Sequence, residues 1–151
     1  MVKTAMMFVA ILLGCSACGS DLDDELATLA NQKAIWETAE PVSYEFQYRV
    51  LCFCSAETTG PFIVTVENRQ ITSVVRQDRN FEELLPVQAS ADFSIAVIFD
   101  DIKGALKQGA HSVTLEYDAT WGFPSYVYID RDEQIADEEW GVKITNFLVL
   151  N

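Results

Sequence analysis

The chain has 151 residues, half of them hydrophobic, with 10 basic against 23 acidic side chains. It is long enough to bury a core and too apolar to be disordered. A formal net charge of −13 weighs against the basic stripe that neutralises nucleic-acid phosphates and the basic patch that docks on anionic lipid.

The first element is the apolar run Ala5 to Leu13, behind Lys3. It falls short of the ~20 residues that span a bilayer but has the length of a signal-peptide core. It ends in Leu12-Leu13-Gly14-Cys15, which resembles a bacterial lipobox. By that resemblance residues 1–14 are a cleaved signal peptide, Cys15 becomes an acylated N-terminus, and 15–20 form a short tether. One acyl chain anchors only marginally, at ~0.8 kcal/mol per buried CH₂, and a diacylglyceryl cysteine supplies two. Cys18, after Ser16-Ala17, is the alternative acylation site. The expected address is the cell envelope, exported and held on the lipid bilayer. Ser16 in place of a retention aspartate directs the protein to the outer membrane where the host is Gram-negative.

Residues 21–151 are expected to form one domain. Ser20 to Glu25 combines a capping residue with carboxylates suited to a helix N-terminus, and Leu22, Leu26, Leu29 and Trp36 follow at helical spacing up to Pro41. Ser43 to Cys54 switches to period two, with Tyr44, Phe46, Tyr48, Val50, Cys52 and Cys54 on one face and Glu45, Gln47 and Arg49 on the other. Glu57 to Pro61 reads as a turn and Phe62 to Val75 as a hairpin turning near Asn68 to Gln70. Asn80 to Asp92 lacks a period and reads as irregular. Ser94 to Gln108 is a second helix, closed by Gly109. Strands are predicted at His111 to Asp118, Tyr126 to Asp130 and Trp140 to Leu150. The order suggests helix-plus-three-strands twice over. The fold class is α+β: an antiparallel sheet with two helices on one face and the other face left for solvent or a partner.

The pattern Tyr44-x-Phe46-x-Tyr48-Arg49 leading into Cys52-x-Cys54 is one of three motifs. The others are Tyr117-Asp118, then Gly122-Phe123-Pro124 and Ile129-Asp130, and the run Ala136-Asp137-Glu138-Glu139. Together they resemble the uncharacterised bacterial lipoproteins catalogued as domain of unknown function 6174. The resemblance covers nearly the whole mature chain; it implies an envelope lipoprotein and supplies no activity. The tandem order is also similar to β-lactamase-inhibitor-like and PepSY-like envelope domains, a likeness of fold that establishes no function.

Cys52 and Cys54 are the first candidate site. Residues i and i+2 of a strand lie roughly 6.5–7 Å apart, whereas disulfides favour ~5.5–6 Å, so a bridge requires a bend. Three readings stand: a structural disulfide suited to an oxidising compartment, a thiol pair that handles soft metal or exchanges disulfides, and buried free cysteines. His111 is the only histidine, which weighs against a catalytic zinc centre or a nucleophile–histidine pair. Asp130, Asp132, Asp137 and Glu138 form a candidate Ca²⁺ cluster, set against a solvated hairpin loop. Trp121, Phe123, Tyr126 and Tyr128 form a candidate interaction surface, with inward packing of the first two as the competing reading. Nothing in these motifs calls for a cofactor. The expected function is a membrane-tethered, non-enzymatic module that binds an envelope protein or serves as an assembly accessory, with a thiol-based metal-handling or disulfide-exchange role of Cys52 and Cys54 as the alternative.

Overall fold

Carboxylates at Asp21 and Asp23 open helix α1, Ser20–Ala39, where they meet the positive end of the helix dipole. Pro41 follows one residue after the helix hands over, with Glu40 N–H still bonded to the Trp36 carbonyl at 2.7 Å. Strand β1, Tyr44–Cys52, comes next, then the single-turn helix α2, Ala56–Thr59. Strands β2, Phe62–Glu67, and β3, Gln70–Gln77, form a hairpin. Its two turn residues, Asn68 and Arg69, both have positive φ, 52° and 61°, as a type I′ turn requires. Strand β4, Glu82–Leu84, and a 3₁₀ turn, Ala91–Phe93, precede helix α3, Ile95–Gln108. Strands β5, Ser112–Tyr117, β6, Pro124–Asp130, and β7, Trp140–Val149, complete the order. The computed structural model describes residues 20–77, 82–85 and 91–151. The candidate signal peptide and the acylation sites Cys15 and Cys18 lie outside the described residues.

The strands form one seven-stranded sheet in the order β4-β3-β2-β1-β7-β6-β5, antiparallel at every pair. The fold is therefore the expected α+β arrangement. One difference concerns the tandem halves: the first helix leads four strands and not three, because β4 lies within the stretch that shows no period. Three residues are too few for alternation to register in sequence. The halves meet where β1 pairs with β7, from Tyr44–Val149 to Cys52–Trp140.

Both long helices lie on the same face. Leu29 and Trp36 of α1 and Ile95, Ile98, Phe99, Ile102, Ala105 and Leu106 of α3 are buried against the inward rows of the strands. Those rows include Tyr44, Phe46 and Tyr48 of β1, Val64 of β2, Val127 and Ile129 of β6, and Val142 and Ile144 of β7. Helix α3 is closed at both ends as its sequence predicts. Ser94 Oγ accepts from Val97 N–H at 3.2 Å. Left-handed Gly109 donates to the Leu106 carbonyl, and Ala110 to that of Ala105, the paired bonds of a Schellman ending.

Bulges interrupt the ladders between Glu45 and Gln47, Thr65 and Val66, and Glu116 and Tyr117. In the first, two steps along β1 match three along β7, so Asn146 takes φ 54°. The extra residue shifts the phase of β7. Phe147, rather than Asn146, then joins the core.

That shift completes an aromatic cluster around Trp36. Its ring stands edge-on to Tyr44 at 5.5 Å, Phe123 at 5.6 Å and Phe147 at 6.0 Å. Such edge contacts add to the burial of the rings themselves. Tyr44 donates its hydroxyl to Glu40 Oε1 at 3.0 Å. Burial first, and the Glu40 charge second, push its pKa well up, so it remains a donor at physiological pH. Arg69 donates backbone N–H to the Val42 carbonyl at 2.9 Å and approaches Glu40 Oε2 at 4.0 Å, tying the β2–β3 turn to the end of α1.

The connection between β5 and β6 is fixed from within. Asp118 Oδ1 accepts from Thr120 and Trp121 N–H at 2.9 and 2.8 Å, and Asp118 N–H reaches the Phe123 carbonyl at 2.8 Å. Gly122 has φ 77°, and a Cβ there would lie 2.8 Å from Ile35 Cγ2 and 3.1 Å from the Gln32 carbonyl.

Two stability predictions follow from this packing. Trp36→Ala should lower the unfolding free energy by about 3–5 kcal/mol, whereas Leu22→Ala, at an exposed position, should stay within about 0.5 kcal/mol. Urea denaturation midpoints separate the two. Gly122→Ala combines a left-handed backbone with a collision against α1, and should cost roughly 2–4 kcal/mol in the same assay.

Candidate functional site

Cys52 closes the inward row of β1, opposite Trp140 of β7. Beyond it the ladder ends and the chain bends back, so that Cys52 and Cys54 have Cα atoms 5.2 Å apart and are joined by a disulfide. The bend that the bridge requires is supplied at the strand terminus, where Ser55 begins the single-turn helix α2. Phe53, between the cysteines, is 82% exposed, and Cys54 is exposed as well. A shallow depression of about 500 Å³ lies alongside, lined in part by Arg49, Leu51, Tyr128, Asp137 and Glu139.

The other sequence candidates fall as follows. His111 sits at the start of β5, three strands from β1 across the sheet. At ~4.8 Å per strand that is roughly 14 Å, too far for a Cys–His pair. Phe123 is buried and Trp121 packs partly against the core. Phe123 is therefore not available as an interaction surface, whereas Trp121 remains half-buried. Tyr126 and Tyr128 do lie on the helix-free face and are half-buried.

The acidic residues are not gathered as a Ca²⁺ set. Glu138 Oε1 accepts from Arg131 and Asp132 N–H, both at 2.7 Å, and Asp132 Oδ1 accepts from Gln134 N–H at 3.0 Å. Asp137 turns the chain with φ 72°. These carboxylates satisfy the backbone of a tight loop. Among the described residues no three His, Cys, Asp or Glu side chains converge as a metal set. One oxygen of Asp130 is buried without a hydrogen-bond partner there.

Register brings together residues that the sequence does not. On the helix-free face Arg49 of β1 is opposite Lys143 of β7, which is opposite Tyr126 of β6, which is opposite Glu116 of β5. The next row is Leu51, Gly141, Tyr128 and Thr114. A Cβ on Gly141 would strike the Val127 carbonyl and lie 3.2 Å from the Tyr128 ring, so the ring lies over the glycine. Below, Thr145 Oγ1 donates to Gln47 Oε1 at 3.0 Å. Arg49 and Lys143 form no ion pair among the described residues. The alternation of β1 placed Arg49 on its polar face, but its neighbour follows only from the pairing of β1 with β7.

The disulfide closes a ring of only three residues. On loop-entropy grounds it contributes about 1.6 kcal/mol. Replacing both cysteines with serine should therefore lower stability by about 1–2 kcal/mol in urea unfolding, with the β1–β7 pairing retained.

A comparison with protein-family models matched residues 28–149 to a family of unknown function. No curated protein and no solved structure matched the chain. The matched span runs from the middle of α1 to the end of β7, so it includes the helix layer, all of the sheet and the disulfide. The chain therefore belongs to the family of unknown function DUF6174.

Proposed function

We propose that the protein is an exported, lipid-anchored envelope component that acts by contact and not by catalysis, through the helix-free face of its sheet. The observation that carries this reading is Arg49 paired directly with Lys143. Like charges opposite each other weaken a sheet, so the fold gains nothing from the juxtaposition. Beside Tyr126 and Tyr128 the two cations form a short basic, aromatic strip on a strongly acidic chain. Arginine and tyrosine are the residue types that anchor protein interfaces. The strip suits a partner surface that presents carboxylates or other hydrogen-bond acceptors.

The tether is compatible with that role. Helix α1 begins at Ser20, five residues after Cys15, so an extended tether reaches at most ~18 Å. With Cys18 acylated the domain sits closer still.

A second reading has an observation of its own. Cys54 is exposed beside an exposed Phe53, so the disulfide is open to an attacking thiolate. In that reading the pair exchanges disulfides with a partner dithiol or, once reduced, holds a soft metal.

One substitution separates contact from fold. Arg49→Glu sets opposite charges across the pair with Lys143, and should raise stability by up to about 1 kcal/mol while reducing partner capture. Capture is read by photo-cross-linking from position 126 in the membrane-bound protein. Expected is loss of the adduct with Arg49→Glu and its retention when Cys52 and Cys54 are both serine. The opposite pattern, with the adduct lost only in the serine variant, would transfer the function to the disulfide.

A further inference from the structure

Strand β5 is the exposed edge of the sheet. It runs for six residues, Ser112–Tyr117, pairs with β6 alone among the described residues, and contains neither lysine nor proline. Natural proteins commonly blunt an edge of this length with such residues. The opposite edge, β4, has only three residues.

The inward side of β5 is only partly covered: Val113, Leu115 and Tyr117 pack against the core and stay half-exposed. Helices α1 and α3 run antiparallel across the sheet: Asp24, Glu25 and Thr28 lie beside Leu106, while Trp36 and Glu40 lie beside Ser94 and Ile95. At the β5 end they leave a groove of about 370 Å³. Its floor is Leu106, Val113, Leu115 and Tyr117, and its rim carries Asp24 and Glu25. The Tyr117 hydroxyl is buried with no hydrogen-bond partner among the described residues, although a buried hydroxyl ordinarily has one. A ladder edge that is unpaired among the described residues, beside an apolar groove, is the geometry of β-strand addition. In that mode the backbone bonds give affinity and the alternate side chains give specificity.

We infer that β5 accepts an eighth strand from a partner protein: an extended segment with alternating small apolar residues and a flanking lysine or arginine. The apolar residues enter the groove over Val113 and Leu115, and the cation meets Asp24 and Glu25. A polar atom of the added strand satisfies the Tyr117 hydroxyl. Charge argues against a second copy of this chain, which would bring another acidic rim and a total of −13 against −13. This site is separate from the Arg49–Lys143 strip, so either can fail without the other.

The test uses the full chain in detergent and two synthetic peptides. Both alternate valine with threonine over eight residues; one ends in lysines, the other in glutamates. Binding is read by fluorescence anisotropy and by hydrogen exchange of the amides of 112–117. The lysine-ended peptide should bind and slow exchange in β5. The glutamate-ended peptide, and the lysine-ended one against Asp24→Lys/Glu25→Lys, should bind about tenfold more weakly or less well still. Both substitutions fall on the exposed surface of α1, so the variant should stay folded, with its urea midpoint lowered only slightly by the lost carboxylates near the helix N-terminus. Equal binding of both peptides, or no slowing of β5 exchange, overturns the inference. Protection of β5 without peptide also overturns it. If that protection rises with protein concentration, a second copy holds the edge; if it does not, residues of the same chain do. Loss of cross-linking in Arg49→Glu with peptide binding unchanged bears on the sheet face alone.

Discussion

Burial of Trp36 is the interaction on which the rest of the architecture depends, because it is where α1 meets both halves of the sheet. Tyr44 comes from the first half, Phe123 and Phe147 from the second, and all three stand edge-on to the same indole. Phe147 reaches it only because β7 carries one extra residue at Asn146. Without the bulge an asparagine amide would face the core, and a buried amide without partners is costly. Gly122 serves the same contact from the other side, since only a residue without Cβ lets the Asp118 loop lie against Gln32 and Ile35.

Much of this fold was legible in the sequence, and the misses have a common cause. Helix α3 is strongly amphipathic and capped by Ser94 and Gly109, so its limits were readable to within a residue. Strand β1 alternates cleanly over its first seven residues, Tyr44 to Val50, and Asn68 and Arg69 mark the hairpin turn by their position between two strand-like runs. What escaped were features that depend on a partner strand. The short β4 has too few residues to show a period and is defined by pairing with β3. The β7 bulge appears in sequence only as a break in alternation, where Phe147, Leu148 and Val149 follow one another. That break has no interpretation until β1 supplies the register.

The candidate site divides along the same line. The Cys52–Cys54 spacing was conspicuous, and its bridge needed only the bend that the end of β1 provides. Within the aromatic loop the hydrogen bonds of Asp118 turn Phe123 inward, the competing reading for that residue, and leave Trp121 half-buried. The acidic run does not converge as a metal set among the described residues, and loop amides take one oxygen each of Asp132 and Glu138. The pairing of Arg49 with Lys143 could not be read at all: the two are far apart in the chain, and strand order alone makes them neighbours.

That same seam between β1 and β7 constrains how the chain reaches its structure. The Gln47–Thr145 bond spans 98 positions, so β1 and its nearest neighbour on that side are separated by almost all of the other elements. Until the ten residues of β7 have been made and released, β1 and β6 each present an unpaired edge, and the Trp36 cluster lacks Phe147. Non-local pairings of this kind slow folding, because loop closure must precede the contacts that reward it. The pairing of β7 between β1 and β6 is thus the closure that joins the two halves into one sheet.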